Sequence, residues 1–410
     1  MDLLEGSVQS YAWGDVEAIP ALQGREPSGE PEAELWLGAH PVAPSRLAGD
    51  DRRLDEMVEA APANVLGDAV NERFGRFPYL LKVLAAAEPL SIQVHPSLVE
   101  AKAGFAREEA DGIDRGDPAR TYRDDNHKPE LICALTPFEA KCGFRVPAVT
   151  SALVASLATR PPAGEWLTAF ADVLAGDDGA GDGDRVAATL AWLFALDGEE
   201  AAALVAELLP AADDLLAEIR TDETLMTYAP ELEQLAKLDR FHPGDIGVAV
   251  SLLLNHVILA PGQAMFLDAG NMHAYLRGTG VELMANSDNV IRGGLTVKHV
   301  DVGELLRVVD TTSGPAPVQT AGDGVHHFDT PVPEFGMSRI VGPATVDAEP
   351  VGPEIVLVTD GEVSMARDDE VLAVLRGSAA FVAADDGGYR IEVPDGATAW
   401  RATVGDLSLS

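Results

Sequence analysis

The amino-acid sequence predicts a mainly β fold interrupted by a block of helices. From the start of the chain to about residue 144, short apolar runs such as FPYLLKVL at 77–84 and PLSIQVHP at 89–96 are separated by Gly, Pro and Asp. This pattern is typical of strands joined by loops. The segment 147–241 is rich in Ala, Leu and Glu, with apolar residues three and four positions apart, which predicts helices. Strand-like runs return after residue 242, so one β domain with a helical insertion is the simplest explanation.

The last part of the chain, from about residue 326, contains further short strand-like runs punctuated by Gly and Asp, such as EIVLVTDGEVSMA. These runs predict a second antiparallel barrel or sandwich. Because this part has no His after His327, we assign it to packing or assembly and not to metal binding. Within the helical block, the run GDDGAGDGD at 176–184 predicts a solvated loop. The expected domains are a catalytic β domain in two parts, 1–146 and 242–325, a helical insertion, 147–241, and a C-terminal β domain, 326–410.

Composition and charge exclude several classes of function. The 410 residues are 47% hydrophobic and 23% charged, which is typical of a globular protein with two or three packed units. A formal net charge of −38 would repel nucleic acid. The start of the chain lacks the pattern of a secretory signal, and no apolar run approaches the roughly 20 residues of a membrane span. We therefore expect a cytoplasmic protein, in which the two cysteines, Cys133 and Cys142, are reduced and structural.

Polar side chains at three separate places could bind one metal ion. Gln93 and His95 lie two positions apart, so on an extended segment both side chains point to the same face. Glu130 follows a proline, which favours a fixed extended backbone before it, and His273 lies in AGNMHAYLRG after a strand-like run. Two His, one Glu and one Gln form a nitrogen and oxygen donor set that suits zinc. Taken singly, each of these residues is more often structural.

The densest polar cluster is GVELMANSDNVIRGGLTVKHVD at 280–301, which contains Glu282, Asp288, Arg292 and Lys298. A surface network of ion pairs is the alternative interpretation of this segment. The chain has only six lysines. If a phosphate binds at this motif, its negative charge would explain why so acidic a protein places a lysine there.

The sequence resembles type I mannose-6-phosphate isomerases over nearly its full length. The resemblance lies in blocks that occur in the order of the family, and several such blocks are more specific than any single motif. These blocks are YAWG at 11–14, AELWLGAHP at 33–41, SIQVHP at 91–96, NHKPEL at 126–131, TPFEAKCGFR at 136–145, HAYLRG at 273–278 and SDNVIRGGLT at 287–296.

The resemblance implies a cupin-type catalytic β-barrel, an inserted helical domain and a C-terminal cupin-like β domain. It implies interconversion of mannose 6-phosphate and fructose 6-phosphate through an enediolate, with one zinc ion per chain. The implied zinc ligands are Gln93, His95, Glu130 and His273. The implied catalytic residues are Arg292, Glu282 as first candidate for the base and Lys128 as second, and the implied substrate contacts are Ser91, Lys82, Lys298, Tyr275 and Asp288. Departures from the family, such as Val297 where Pro is usual before the Lys, affect loop shape more than the reaction.

Two alternative functions remain open at the level of the sequence. A different metal-dependent cupin enzyme, such as an oxygenase, would use similar ligands but would prefer redox-active iron and consume oxygen. A non-catalytic sugar-phosphate sensor would bind the ligand without isomerising it. For the isomerase we expect a monomer whose only partner is a small sugar phosphate. The reversible reaction could feed mannose into central carbohydrate metabolism or supply mannose 6-phosphate for glycan precursors such as GDP-mannose.

Overall fold

A computed structural model describes residues 1–50, 52–161, 164–176, 179–219 and 228–409 of the chain. These residues form antiparallel β-sheets with helices between them. Up to residue 327 the strands are β1 (Asp2–Glu5), β2 (Ser7–Gln9), β3 (Glu34–Leu37), β4 (Arg46–Leu47), β5 (Tyr79–Ala86), β6 (Gln93–Val94), β7 (Glu130–Ala134), β8 (Phe138–Phe144), β9 (Leu254–Leu259), β10 (Gln263–Leu267), β11 (His273–Ala285), β12 (Ile291–Arg292), β13 (Val318–Thr320) and β14 (Val325–His327). The remaining strands are β15 (Gly336–Val341), β16 (Ala344–Ala348), β17 (Glu354–Asp360), β18 (Glu362–Arg367), β19 (Glu370–Leu375), β20 (Ala379–Val382), β21 (Tyr389–Val393) and β22 (Thr398–Thr403).

The helices fall into three groups along the chain. Those before the helical block are α1 (Ala18–Leu22), α2 (Leu54–Ala60), α3 (Pro62–Leu66), α4 (Asp68–Phe74) and α5 (Leu98–Ala110). The block itself contains α6 (Pro147–Ala158), α7 (Glu165–Ala175), α8 (Asp182–Ala195), α9 (Gly198–Ile219) and α10 (Ala229–Phe241), and it is followed by α11 (Gly247–Val250) and α12 (Val302–Val308). None of the described helices combines the length and the apolar composition that a bilayer span needs.

The predicted fold class is confirmed in its coarse form, as antiparallel sheets with a helical block between them. The hydrogen-bonded ladders among the described strands form open sheets and do not close into a barrel. Two local predictions differ from the structure. The first segment contains α1 to α5 in addition to strands, and α8 begins at Asp182 inside the predicted loop 176–184. Residues 177 and 178 of that loop lie outside the described residues.

The long strand β11 connects the two halves of the central sheet. Its first part pairs with β6 and β8, and its second part pairs with β5 and β7. The main path of this sheet runs in the order β13, β10, β7, β11, β5, β3, β2. Through these ladders, β11 brings together segments that lie nearly 200 residues apart in the sequence.

Two hydrophobic clusters pack against β11 from different directions. Ala274 and Leu276, in its first part, belong to a cluster with the helices of the block. Val281 and Leu283, in its second part, belong to a cluster with residues of the C-terminal sheet. Since side chains alternate along a strand, Glu282 points away from the C-terminal sheet.

The C-terminal region contributes a seven-stranded sheet and a four-stranded sheet. The larger sheet has the order β14, β15, β22, β17, β20, β1, β4, and the smaller one has the order β16, β21, β18, β19. The first strand of the chain therefore pairs with β20, which the sequence did not predict.

Candidate active site

Three polar side chains meet where three strands begin or end. His95 directly follows β6, Glu130 begins β7 and His273 begins β11. The Nε2 atom of His95 lies 3.4 Å from Oε1 of Glu130, and the Nε2 atom of His273 lies 3.5 Å from Oε2 of the same carboxylate. All three side chains are buried, and their candidate ligand atoms lie within 4.8 Å of one another. The structure thus brings together three of the four sequence-predicted metal ligands.

Hydrogen bonds to the backbone determine which nitrogen of each imidazole is free. The Nδ1 atom of His95 lies 2.7 Å from the carbonyl oxygen of Asn289, and that of His273 lies 3.0 Å from the carbonyl oxygen of Asn271. A carbonyl oxygen can only accept, so both Nδ1 atoms donate and each neutral ring keeps a lone pair on Nε2. Both Nε2 atoms are buried, and neither has a hydrogen-bond partner among the described residues. This pattern is typical of histidines that bind a metal ion.

The charges of the group also fit a divalent cation. Burial and the nearby charge of Lys128 lower the pKa of His95 to about 4, so this ring is neutral near pH 7. Burial raises the pKa of Glu130, but the Lys128 ammonium, 3.1 Å from its Oε1 atom, together with His95 and His273 outweighs this effect and holds the pKa well below its ordinary value. Neutral imidazoles and an ionised carboxylate are donors that zinc prefers. The residues present therefore fit a zinc ion.

The register of the strands places Gln93 next to this group. Gln93 pairs with His273 of β11 on one side and with Arg292 of β12 on the other. Residues directly opposite each other in a ladder have their side chains on the same face. Gln93, His273 and Arg292 therefore form one row across three strands. In the sequence, His273 lies 180 positions after Gln93, and Arg292 lies 199 positions after it.

A second buried polar group lies further along β11. The Nζ atom of Lys82 lies 3.1 Å from Oε2 of Glu282, its partner in the β5–β11 ladder, and 3.4 Å from Oε1 of Glu34. The indole Nε1 of Trp36 donates to Oε2 of Glu34 at 2.7 Å. Burial lowers the pKa of Lys82, but the charges of Glu282 and Glu34 outweigh it, so its pKa lies above the ordinary value. Burial raises the pKa of Glu282.

Tyr275 lies between the candidate metal ligands and the Lys82–Glu282 pair. Its hydroxyl donates to Oε2 of Glu130 at 3.4 Å, and burial followed by the charges of Glu282 and Glu130 raises its pKa well above the ordinary value. The phenol is therefore neutral and acts as a hydrogen-bond donor near pH 7. It is almost completely buried.

Arg292 and Lys298 form a positively charged region after β12. Burial, followed by the charge of Arg123, lowers the pKa of Arg292, and burial followed by the charges of Arg292 and Arg123 lowers that of Lys298. Neither side chain forms an ion pair with a carboxylate in the described part of the chain. Ser91 lies near this region, because the N–H of the following residue, Ile92, donates to the carbonyl of Gly294 at 3.0 Å.

Asp288 belongs to the loop 286–289, in which the neighbouring Asn289 carbonyl contacts Nδ1 of His95. Its Oδ1 atom lies 3.4 Å from Nε2 of His40, and its N–H donates to Oδ2 of Asp124 at 2.7 Å. Burial raises the pKa of Asp288, but the His40 interactions outweigh it, so the pKa lies below the ordinary value. The carboxylate is therefore ionised near pH 7.

Several residues of the site were not among the sequence-predicted ones. Glu34, Trp36 and His40 lie in the block AELWLGAHP, where the spacing of Glu34 and Trp36 already places them on one face of a strand. Asp124 and Asn289 act through backbone contacts between two loops, and no local pattern indicates such contacts.

Comparisons with known proteins show what this chain is similar to. The family "Phosphomannose isomerase type I, catalytic domain" matches residues 1–147. The mannose-6-phosphate isomerase of Escherichia coli (strain K12) is 38% identical over 395 residues, covering 94% of this chain and 95% of the relative. That of Rattus norvegicus is 33% identical over 407 residues, with 92% of each chain covered. A crystal structure of mannose 6-phosphate isomerase bound with zinc and yttrium has a TM-score of 0.85 and 34% identity, and the similarity covers 98% of this chain and 99% of that one.

The fold and the donor set define a metal-binding protein built on antiparallel sheets. The full-length similarity is more specific: the chain belongs to the mannose-6-phosphate isomerase family. The resemblance found in the sequence motifs is thereby confirmed.

Proposed function

We propose that this protein is a zinc-dependent isomerase that interconverts D-mannose 6-phosphate and D-fructose 6-phosphate. The observation that carries the proposal is the buried group of His95, Glu130 and His273 in a chain that matches mannose-6-phosphate isomerases over more than nine-tenths of its length. Zinc-bound structures of similar proteins support the choice of metal.

His95, Glu130 and His273 would hold one zinc ion, with Gln93 as the fourth ligand. When bound, zinc supplies a Lewis acid that stabilises negative charge on a substrate oxygen. The backbone carbonyls of Asn289 and Asn271 hold both imidazoles in the tautomer that leaves Nε2 free. These contacts fix the direction of the two nitrogen lone pairs before the metal arrives.

The reaction moves a proton between neighbouring carbons of the sugar, so it needs a base close to the metal. Glu282 is our first candidate, because burial raises its pKa above the ordinary value and so makes its carboxylate a stronger base. Lys82 holds the Glu282 carboxylate at 3.1 Å and limits its orientation. Lys128 is the second candidate, since its ammonium contacts Glu130 at 3.1 Å.

The substrate phosphate would bind to Lys298 and Ser91, and also to Arg292, which the resemblance assigns to catalysis. Arg292 and Lys298 are cations without a carboxylate partner among the described residues, so a dianion can pair with both. Asp288 and Tyr275 would contact the sugar, Asp288 as an acceptor and Tyr275 as a donor. The predicted contact of Lys82 with phosphate stays a prediction. The carboxylates of Glu34 and Glu282 already neutralise the charge of Lys82, which argues against this contact.

The finer architecture belongs to the same proposal. The antiparallel sheets around β11 are consistent with a cupin-type catalytic domain formed by residues 1–146 and 242–325. The helical insertion would comprise residues 147–241, and a cupin-like C-terminal domain would follow from residue 326. We further propose that the protein acts as a cytoplasmic monomer.

The test is formation of fructose 6-phosphate from mannose 6-phosphate by the purified protein, before and after chelation and with zinc added back. We expect activity to be lost with the metal and restored by zinc. Unphosphorylated mannose should have a much lower kcat/KM, because it lacks the group that Arg292 and Lys298 would bind. Equal kcat/KM values for both sugars would contradict the phosphate assignment, and a zinc-loaded but inactive protein would indicate a sensor.

A further inference from the structure

Glu334 of the C-terminal region contacts His127 in a loop of the active site, and the proposed mechanism gives this contact no role. Oε1 of Glu334 lies 2.7 Å from Nε2 of His127. His127 belongs to the loop that precedes β7 and is followed directly by Lys128, whose ammonium contacts Glu130. Glu334 lies in the loop between β14 and β15, more than 200 positions away in the sequence. The contact therefore joins a loop of the C-terminal region to the backbone that carries Lys128 and Glu130.

The loop that carries Glu334 is held firmly in place. Its neighbours Val332 and Phe335 are buried in the cluster that joins the central sheet to the C-terminal sheet. The carbonyl of Pro333 accepts a hydrogen bond from the N–H of Gly405 at 3.1 Å. A side chain presented from such a packed segment has little freedom to move, so it can determine the position of its partner.

The loop that carries His127 is held on its other side by different residues. The carbonyl of Asn126 accepts hydrogen bonds from Nδ2 of Asn289 at 2.8 Å and from Oγ of Ser287 at 3.1 Å. The side chain of Asn126 donates to the carbonyl of Asn286 at 3.0 Å. The backbone before Lys128 is thus fixed by the loop 286–289 on one side and by Glu334 on the other.

Stability alone does not explain the carboxylate at position 334. Glu334 is only 4% exposed, and its Oε2 atom is buried without a hydrogen-bond partner among the described residues. Removing a carboxylate from water is costly, and replacing both members of a buried ion pair by apolar residues of similar size is often neutral or stabilising. A role in fixing the geometry of the loop gives this side chain a function that an apolar residue would lack.

We propose that Glu334 is a positioning residue for the isomerisation: through His127 it fixes the loop that presents Lys128 to the substrate and Glu130 to the metal ion. This inference rests on the proposed function of the site. It gives the C-terminal region, which the sequence assigns to packing or assembly, a part in catalysis. Small misplacements of reacting groups lower rates by up to about a hundredfold, so the effect should appear in kcat.

The test compares Glu334→Met with the wild-type enzyme, both loaded with zinc. We expect kcat to fall about tenfold or more, KM to change less than about twofold and zinc content to stay equal, while the urea midpoint falls modestly because Nε2 of His127 loses its partner. Glu334→Gln, which keeps an acceptor for His127, should recover part of the activity. In Glu334→Met, amide hydrogen exchange should become faster at residues 126–128.

A matched control is Glu139→Met, which removes another histidine–glutamate pair, His256 to Glu139 at 2.8 Å, outside the active-site loop. It should leave kcat unchanged. A lower urea midpoint with unchanged kcat for Glu334→Met would overturn the proposal, as would unchanged exchange at residues 126–128. The activity of the wild-type enzyme in the same assay tests the proposed function separately. Hydrogen exchange at residues 126–128 tests whether Glu334 fixes the loop, and it does so even if the protein does not isomerise this sugar.

Discussion

Lys141 lies in an environment that its chemistry disfavours. It lies on β8, is 1% exposed, and its Nζ atom has no hydrogen-bond partner among the described residues. Burial, together with the charge of Arg145, lowers its pKa to about 7. The folded protein therefore holds a lysine that gives up its proton more readily than it would in water, and this has a consequence for stability.

We predict that Lys141→Met stabilises the protein and removes a pH dependence. Between about pH 7 and 10.5 the unfolded chain keeps the Lys141 proton while the folded protein releases it, so the stability of the wild type rises with pH in this window. The slope is at most about 1.4 kcal/mol per pH unit. The free energy of unfolding, measured with urea, should differ less between pH 7 and pH 9 for Lys141→Met than for the wild type. The exposed Lys237→Met serves as a control, and equal pH dependence in both variants would contradict the prediction.

Among the loops, the segment 286–289 connects His95, a proposed zinc ligand, to the loop before β7. The amide of Asn289 is fully buried. Its Oδ1 atom accepts from the N–H of Arg123 at 2.7 Å, and its Nδ2 atom donates to the carbonyl of Asp124 at 2.9 Å. Since the Asn289 carbonyl also holds Nδ1 of His95 at 2.7 Å, this one residue orients a proposed zinc ligand and anchors a loop.

We predict that Asn289→Ala weakens zinc binding by about 10- to 100-fold, the usual effect of losing a contact that orients a metal ligand. The physical reason is that the truncated side chain no longer fixes the backbone whose carbonyl accepts from His95. Competition with a chelator of known affinity measures the change. Urea unfolding of the metal-free variant serves as the control for general destabilisation, and an unchanged zinc affinity would show that the carbonyl stays in place without the amide.

Local patterns predicted some elements and could not predict others. The helical block was recognisable because apolar residues three and four positions apart leave a periodic signal, and α6 begins and α10 ends where that signal does. Helix α5 was missed, although Ser97 and Glu100 form a capping box at its start, which is a recognisable signal. The row of Gln93, His273 and Arg292 depends on pairing between distant strands. The residue types predicted that Gln93 and His273 could bind one metal ion, but only the family motifs added Arg292 to the site; Glu334 lay in no such motif.

The whole molecule is joined by a shared core between the central and C-terminal sheets. Leu4 of β1 pairs with Ala379 of β20 and is 5% exposed. It belongs to the same buried cluster as Leu131 and Leu283 of the central sheet and Trp400 of the C-terminal sheet. Since these side chains pack in one cluster, the two sheets should lose their structure together.

We predict that Leu4→Asp destabilises the catalytic site even though β1 lies in the C-terminal sheet. A charge placed in this cluster should lower the free energy of unfolding by several kcal/mol, on the order of the loss of a buried leucine plus the desolvation of a carboxylate. We expect the urea midpoints of zinc release and of the change in tryptophan fluorescence to shift to lower urea concentration together. Leu375→Asp, at an exposed position of β19, should leave both midpoints unchanged. Zinc retention after the fluorescence change in Leu4→Asp would show that the central sheet holds its metal ligands without the C-terminal sheet.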